Sequence, residues 1–211
     1  MGIKETPTIK LFIMMFLQIF IWGAWLPMIF VYLPMLGYTP FEQSWILNAF
    51  PVAAIISVFF GNQFADRNFA AEKFLSFSHL IGGLALIGIS LTTNFWIFLT
   101  LMWIYCLFYL PTMSITNSIA FTHMNNPVSE FGPIRMGGTL GWIAAAWPFV
   151  FIFVDWDLVH ATETDGLIDF IGVALGSGLT GEALLDVKPW TFRIAGIASL
   201  VLALHSLKLP H

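Results

Sequence analysis

Residues 95–121, FWIFLTLMWIYCLFYLPTMSITNSIAF, contain no charged side chain. As an α-helix this run reaches about 40 Å at ~1.5 Å per residue, more than the ~30 Å hydrocarbon core of a bilayer. No other feature constrains the fold as strongly. Water penalises so long an apolar surface, whereas lipid accepts it if the backbone hydrogen bonds close within the segment. The same ruler finds six spans, about Ile9–Leu33, Ser44–Phe64, Phe74–Leu91, Phe95–Ile119, Pro133–Val154 and Pro189–Leu207. Turn-forming or polar stretches such as GYTPFEQ, ADRNFAAEK and TTN separate them. Composition agrees, since 9% of the 211 residues are charged, against about 25% in soluble domains. The predicted fold class is an all-α membrane protein with six transmembrane helices. Helices one to five occupy 1–154, an acidic external loop 155–188, and the sixth helix 189–211.

The first span follows Lys4 and Lys10, as a signal core would, but it is too long for one and no small-residue cleavage site follows. It is read as a retained helix. With the N-terminus in the cytoplasm, the inner ends carry Lys4, Lys10, Arg67, Lys73 and Lys208, with Arg135 close by, and the outer ends Lys188 and Arg193. That satisfies the positive-inside rule. The external segment then holds Asp155, Asp157, Glu163, Asp165, Asp169, Glu182 and Asp186. These acids lack the alternating spacing of a calcium loop, so a solvated insertion is expected, helical around Leu167–Leu175. A net charge of −4 offers nothing basic enough for nucleic acid. The single cysteine, Cys106, lies in an apolar run and excludes a disulfide framework or a CxxC metal site. No cofactor motif is present.

Polar residues within spans are expensive in lipid and tend to face a bundle interior or water. Gln18, Trp22 and Trp25 share one face of the first span. Tyr105, Tyr109, Thr112 and Thr116 do so in the fourth, with Asn117 beside them and Pro111 loosening the helix. His79 stands near the inner end of the third. Each admits two readings: hydrogen bonds between helices, often worth only ~0.6 kcal/mol, or the lining of a cavity. Tyrosine and tryptophan beside amides and hydroxyls suit a ligand with a flat ring and hydroxyl groups.

The fifth span contains FGPIRMGGTLGW, residues 131–142. At ~100° per residue, Thr139 lies about +40° and Trp142 about −20° from Arg135, whereas Gly137 and Gly141 lie at about 200° and 240°. One side therefore presents a cation, a hydroxyl and an indole, and the other a GxxxG of the kind that lets helix backbones approach closely. Arg135 alone fits equally a topology anchor that snorkels to the interface or a ligand-binding group facing inward.

Six stretches carry a resemblance: LQIFIWGAWL (17–26), ADR (65–67), SHLIG (78–82), YLPTMSITNSIAF (109–121), FGPIRMGGTLGW (131–142) and LKLPH (207–211). In this order they resemble the N-terminal half of the nucleoside/proton symporters of the major facilitator superfamily, PIR-x-x-GT being the most specific. The resemblance implies one six-helix bundle of a two-bundle carrier in a bacterial inner membrane, importing nucleosides with protons. It also implies that the C-terminal six-helix half, with other ligand contacts and the proton-coupling acid, lies beyond this sequence. Carried over by position, Arg135, Thr139 and Trp142 line the central nucleoside site. Gln18, Trp22, Tyr109 and Asn117 are the further substrate-binding candidates, Asp66, Arg67, Gly137 and Gly141 the gating or structural ones. Glu130 and His79 are the proton-coupling candidates. The loop after the second span keeps Asp66 and Arg67 of the superfamily's G-x-x-x-D-R/K signature, but Asn62 stands at its glycine position.

The same fold would serve a carrier of sugars or other small polar metabolites. A non-transporting membrane interaction protein gains weight if residue 211 ends the gene product, where only a dimer could rebuild a two-bundle carrier. For an enzyme, no Ser/His/Asp, HExxH or paired-carboxylate set falls on a common face.

Overall fold

The computed structural model describes residues 7–57 and 70–209, and ten α-helices lie among them. They are α1 (Thr8–Met35), α2 (Pro40–Leu47), α3 (Ala49–Ile56), α4 (Ala71–Ile89), α5 (Phe95–His123), α6 (Pro127–Ile152), α7 (Trp156–Ala161), α8 (Leu167–Gly176), α9 (Gly181–Val187) and α10 (Trp190–Ser206). The Asp66–Arg67 pair and Asn62 lie outside the described residues.

Among the described residues, four stretches are long and apolar enough to cross a membrane: Thr8–Met35, Ala71–Ile89, Phe95–His123 and Gly181–Ser206, the last taking in α9 and α10. Two of the six expected spans differ from the sequence ruler for local reasons. The second begins early, at Pro40, because Thr39 and Glu42 form a capping box with proline at the first helical position. It then breaks at Asn48. Pro51 has no N–H for the carbonyl of Leu47, and its ring crowds that oxygen, so α3 starts anew at Ala49. In the fifth, the side chain of Asn126 accepts a hydrogen bond from the Val128 amide at 3.2 Å, with proline following it. The helix therefore begins at Pro127, and Arg135 lies about two turns inside it rather than near its start. Glu130 and Arg135 fall in its less apolar first half.

The helices pack chiefly as two close pairs. Against α1, α6 presents Gly137 and Gly141: a Cβ on Gly137 would fall 2.5 Å from the Phe12 carbonyl oxygen, and one on Gly141 would strike that of Phe16. A Cβ on Gly23 would stand 3.1 Å from the Trp142 ring and 3.1 Å from Ala145 Cβ. Between α4 and α10, a Cβ on Gly83 would fall 3.0 Å from the Gly196 carbonyl. Contacts of α1 with α10 join the pairs, α5 packs on α4, and α3 lies on α5. An aromatic core fills one end: the Trp25 indole donates to the Tyr105 hydroxyl at 3.0 Å and stacks on Phe192, 6.1 Å between centroids.

Candidate functional site

Because the glycine face of α6 is pressed to α1, the opposite face is left open. Arg135, Thr139 and Trp142 there, with Gly138 and Ile143 and with Ile19 and Trp22 of α1, line a cavity of about 310 Å³. Arg135 and Thr139 are exposed to it. The guanidinium lies across Gly138, where a Cβ would stand 3.0 Å from Nη1 and 3.0 Å from Ile19 Cγ1. Trp22 forms the back of this wall. Its ring stacks nearly parallel on Phe50 of α3, 5.3 Å between centroids at 5°, and meets Trp142 edge-on at 5.3 Å. Its Nε1 is buried and makes no hydrogen bond within the described residues. The wall thus offers up to five N–H donors on a fixed positive charge, a hydroxyl and two indole rings. Such a set recognises oxygen-rich, planar, uncharged or anionic molecules.

Gln18, Tyr109 and His79 stand elsewhere, in a buried polar chain between four helices. The Gln18 amide nitrogen donates to Thr112 Oγ1 at 2.8 Å, and its oxygen faces His79 Nε2 at 2.8 Å. His79 Nδ1 lies 3.0 Å from Ser199 Oγ, and that hydroxyl also donates to the His79 carbonyl at 2.9 Å. The Tyr109 hydroxyl donates to the Gln18 carbonyl at 2.6 Å, while its ring meets the His79 ring edge-on. Helices α1, α4, α5 and α10 are tied together by these bonds. With the Gln18 oxygen as acceptor, His79 Nε2 carries hydrogen, and the Ser199 hydroxyl has two acceptors within reach, Nδ1 and the carbonyl. Asn117 donates to the Met113 carbonyl at 3.0 Å and leaves Oδ1 buried without a partner among the described residues. Glu130 sits in the first turn of α6, where it accepts from the Asn125 amide at 3.2 Å.

Sequence patterns brought out Arg135, Thr139, Trp142 and Trp22 but missed Ile19, Gly138 and Ile143, and Phe50 behind Trp22. Gly138 was within reach, since it lies only about 60° round the helix from Arg135. Phe50 was not, because its place depends on the break at Asn48.

The family described as "Nucleoside H+ symporter" matches residues 5–177. The chain is 38% identical over 138 residues to the protein YegT of Escherichia coli (strain K12), covering 65% of this chain and 32% of that one. It is 31% identical over 147 residues to xanthosine permease of the same strain, covering 65% of this chain and 34% of the permease. Among solved structures, the crystal structure of nucleoside transporter NupG superposes with a TM-score of 0.76 at 22% identity, over 98% of this chain and 45% of NupG. The chain therefore spans about a third of the length of the curated relatives it matches.

Proposed function

Because the chain belongs to the nucleoside H+ symporter family, we propose that it is the N-terminal half of a secondary transporter that imports nucleosides with protons. In this reading its spans form one six-helix bundle of a major facilitator superfamily fold, in a bacterial inner membrane with a cytoplasmic N-terminus. A C-terminal six-helix half completes the central site, and the two bundles rock about it in alternating access. The observation that carries the proposal is the open wall of α6, where Arg135, Thr139 and Trp142 share a cavity with Trp22. Arg135 supplies donors to base or ribose oxygens, Thr139 a hydroxyl, and the indoles of Trp142 and Trp22 a surface for the ring. The cavity holds no carboxylate among its lining residues, so nothing there competes for the guanidinium.

Gln18 and Tyr109 contribute at one remove, by fixing α1 against α5. Asn117 offers an unpaired carbonyl oxygen on α5. Of the two proton-coupling candidates, His79 is enclosed and Glu130 lies at a helix start. The proposal assigns no catalytic residue and requires no cofactor, in keeping with a family of transporters.

Uridine uptake by the full-length protein tests the central claim. Losing hydrogen bonds from a charged donor costs ~1.5–3 kcal/mol, so Arg135→Ala is expected to raise the apparent KM roughly tenfold to a hundredfold. An unchanged apparent affinity would remove Arg135 from the site.

A further inference from the structure

Helix α8 (Leu167–Gly176) has no buried residue. At ~100° per residue, Leu167, Ile171, Leu175 and Ile168 project at about 0°, 40°, 80° and 100°. These four side chains are 74, 47, 68 and 89% exposed, respectively. Asp169 projects at about 200°, on the opposite side. Nearly a third of the circumference is thus leucine and isoleucine open to the surroundings, in a segment whose acidic composition suggests full solvation. The substantial helix neighbour of α8 is α7, only 6 residues long.

We propose that α8 is an interfacial helix, lying along the bilayer surface with this stripe against the acyl boundary and Asp169 toward water. Its C-terminal end is pinned where α6 stops. Val154 pairs with Gly178 in an isolated antiparallel bridge, the Asp155 amide donates to the Ser177 carbonyl, and the Leu179 amide to the Phe153 carbonyl, both at 2.8 Å. The last turns of α6 before that tether expose Trp147, Val150 and Phe151, at 63, 45 and 54%. The C-terminal end of α8 is therefore tethered beside exposed apolar side chains of a 26-residue helix. Trp156 stands beside the tether, its indole donating to the Phe151 carbonyl at 2.9 Å, and Trp190 opens α10 at 43% exposure. Tryptophans in this position mark the membrane–water boundary. A helix of this length is about 15 Å long, too short to cross ~30 Å of hydrocarbon. It lies on the membrane rather than through it, as amphipathic monotopic helices do. The inference rests on the chain spanning a membrane and not on the choice of substrate.

Site-directed spin labelling in phosphatidylcholine vesicles tests this. In the full-length protein with its native cysteines, Cys106 among them, replaced by alanine, single cysteines replace Ile168, Leu175 or Asp169 and carry nitroxides. Labels at 168 and 175 are expected to be at least threefold more accessible to oxygen than to a water-soluble nickel chelate, and the label at 169 the reverse. Nickel access at 168 and 175 equal to that at 169 would show a solvated segment and overturn the proposal. Protection from both reagents would show burial against protein and overturn it equally.

Discussion

Gly138 allows Arg135 to lie flat along its own helix, because no Cβ intervenes between Nη1 and Ile19. A methyl group there would crowd two side chains at 3.0 Å, which must shift by a few tenths of an ångström, and would reach the Met15 carbonyl oxygen only at an ordinary 3.6 Å. Gly138→Ala is therefore expected to leave folding nearly unchanged while raising the KM for uridine a few-fold, measured by uptake alongside thermal stability in detergent. Tyr38, in the loop before α2, gives a residue-scale test of a different kind. Its hydroxyl donates to the Thr93 carbonyl at 2.9 Å. Burial, then the neighbouring Tyr32 and Glu42, push this phenol from 10.0 up to about 12. The stability it contributes is complete below pH 10 and is lost as the pH rises through about 12. Replacing it by Tyr38→Phe should flatten the stability profile in that window, read by unfolding at successive pH values. The sequence alone marks Tyr38 only as a loop residue, since its burial comes from the ends of α1 and α5 closing over it.

At the scale of elements, the two faces of α6 follow from backbone periodicity, so angles read from the sequence separate Gly137 and Gly141 from Arg135. The partner is not legible that way: nothing in FGPIRMGGTLGW says that α1 rather than α5 occupies the glycine side. Gly141→Ala drives a methyl into the Phe16 carbonyl, which is backbone and cannot step aside. Overpacking of this kind costs ~1–3 kcal/mol, and a lower unfolding temperature in detergent should report it. Gly172→Ala is the control. Its Cβ meets nothing within 4 Å, and alanine gains up to about 1 kcal/mol of helix propensity. The break between α2 and α3 escaped the apolar ruler because hydropathy does not register Pro51, whereas the missing N–H does. The early starts of α2 and α6 were likewise set by caps, Thr39 and Asn126, rather than by apolarity.

For the molecule as a whole, the buried chain from Thr112 through Gln18 and His79 to Ser199 couples α1, α4, α5 and α10. Helical periodicity suggested the inward faces of Gln18, Tyr109 and Thr112, but joining them to Ser199, 120 positions from His79 in sequence, requires the fold. Gln18→Leu and Ser199→Ala should each destabilise the protein by ~1–3 kcal/mol, since each leaves buried polar groups unpaired. Because both act through His79, their effects should fall short of additivity by ~0.5–3 kcal/mol, measured by a double-mutant cycle in detergent unfolding. Exact additivity would mean that the chain does not act as one unit. The glycine seam has a mechanical corollary. Where carbonyls of α1 rest against Gly137 and Gly141 there is no layer of side chains to shear, so α1 and α6 tilt as a single beam. If the bundle rocks as proposed, Trp22 and Arg135, fixed to opposite members of that beam, keep their spacing. A ligand held between them is measured against a ruler that does not stretch.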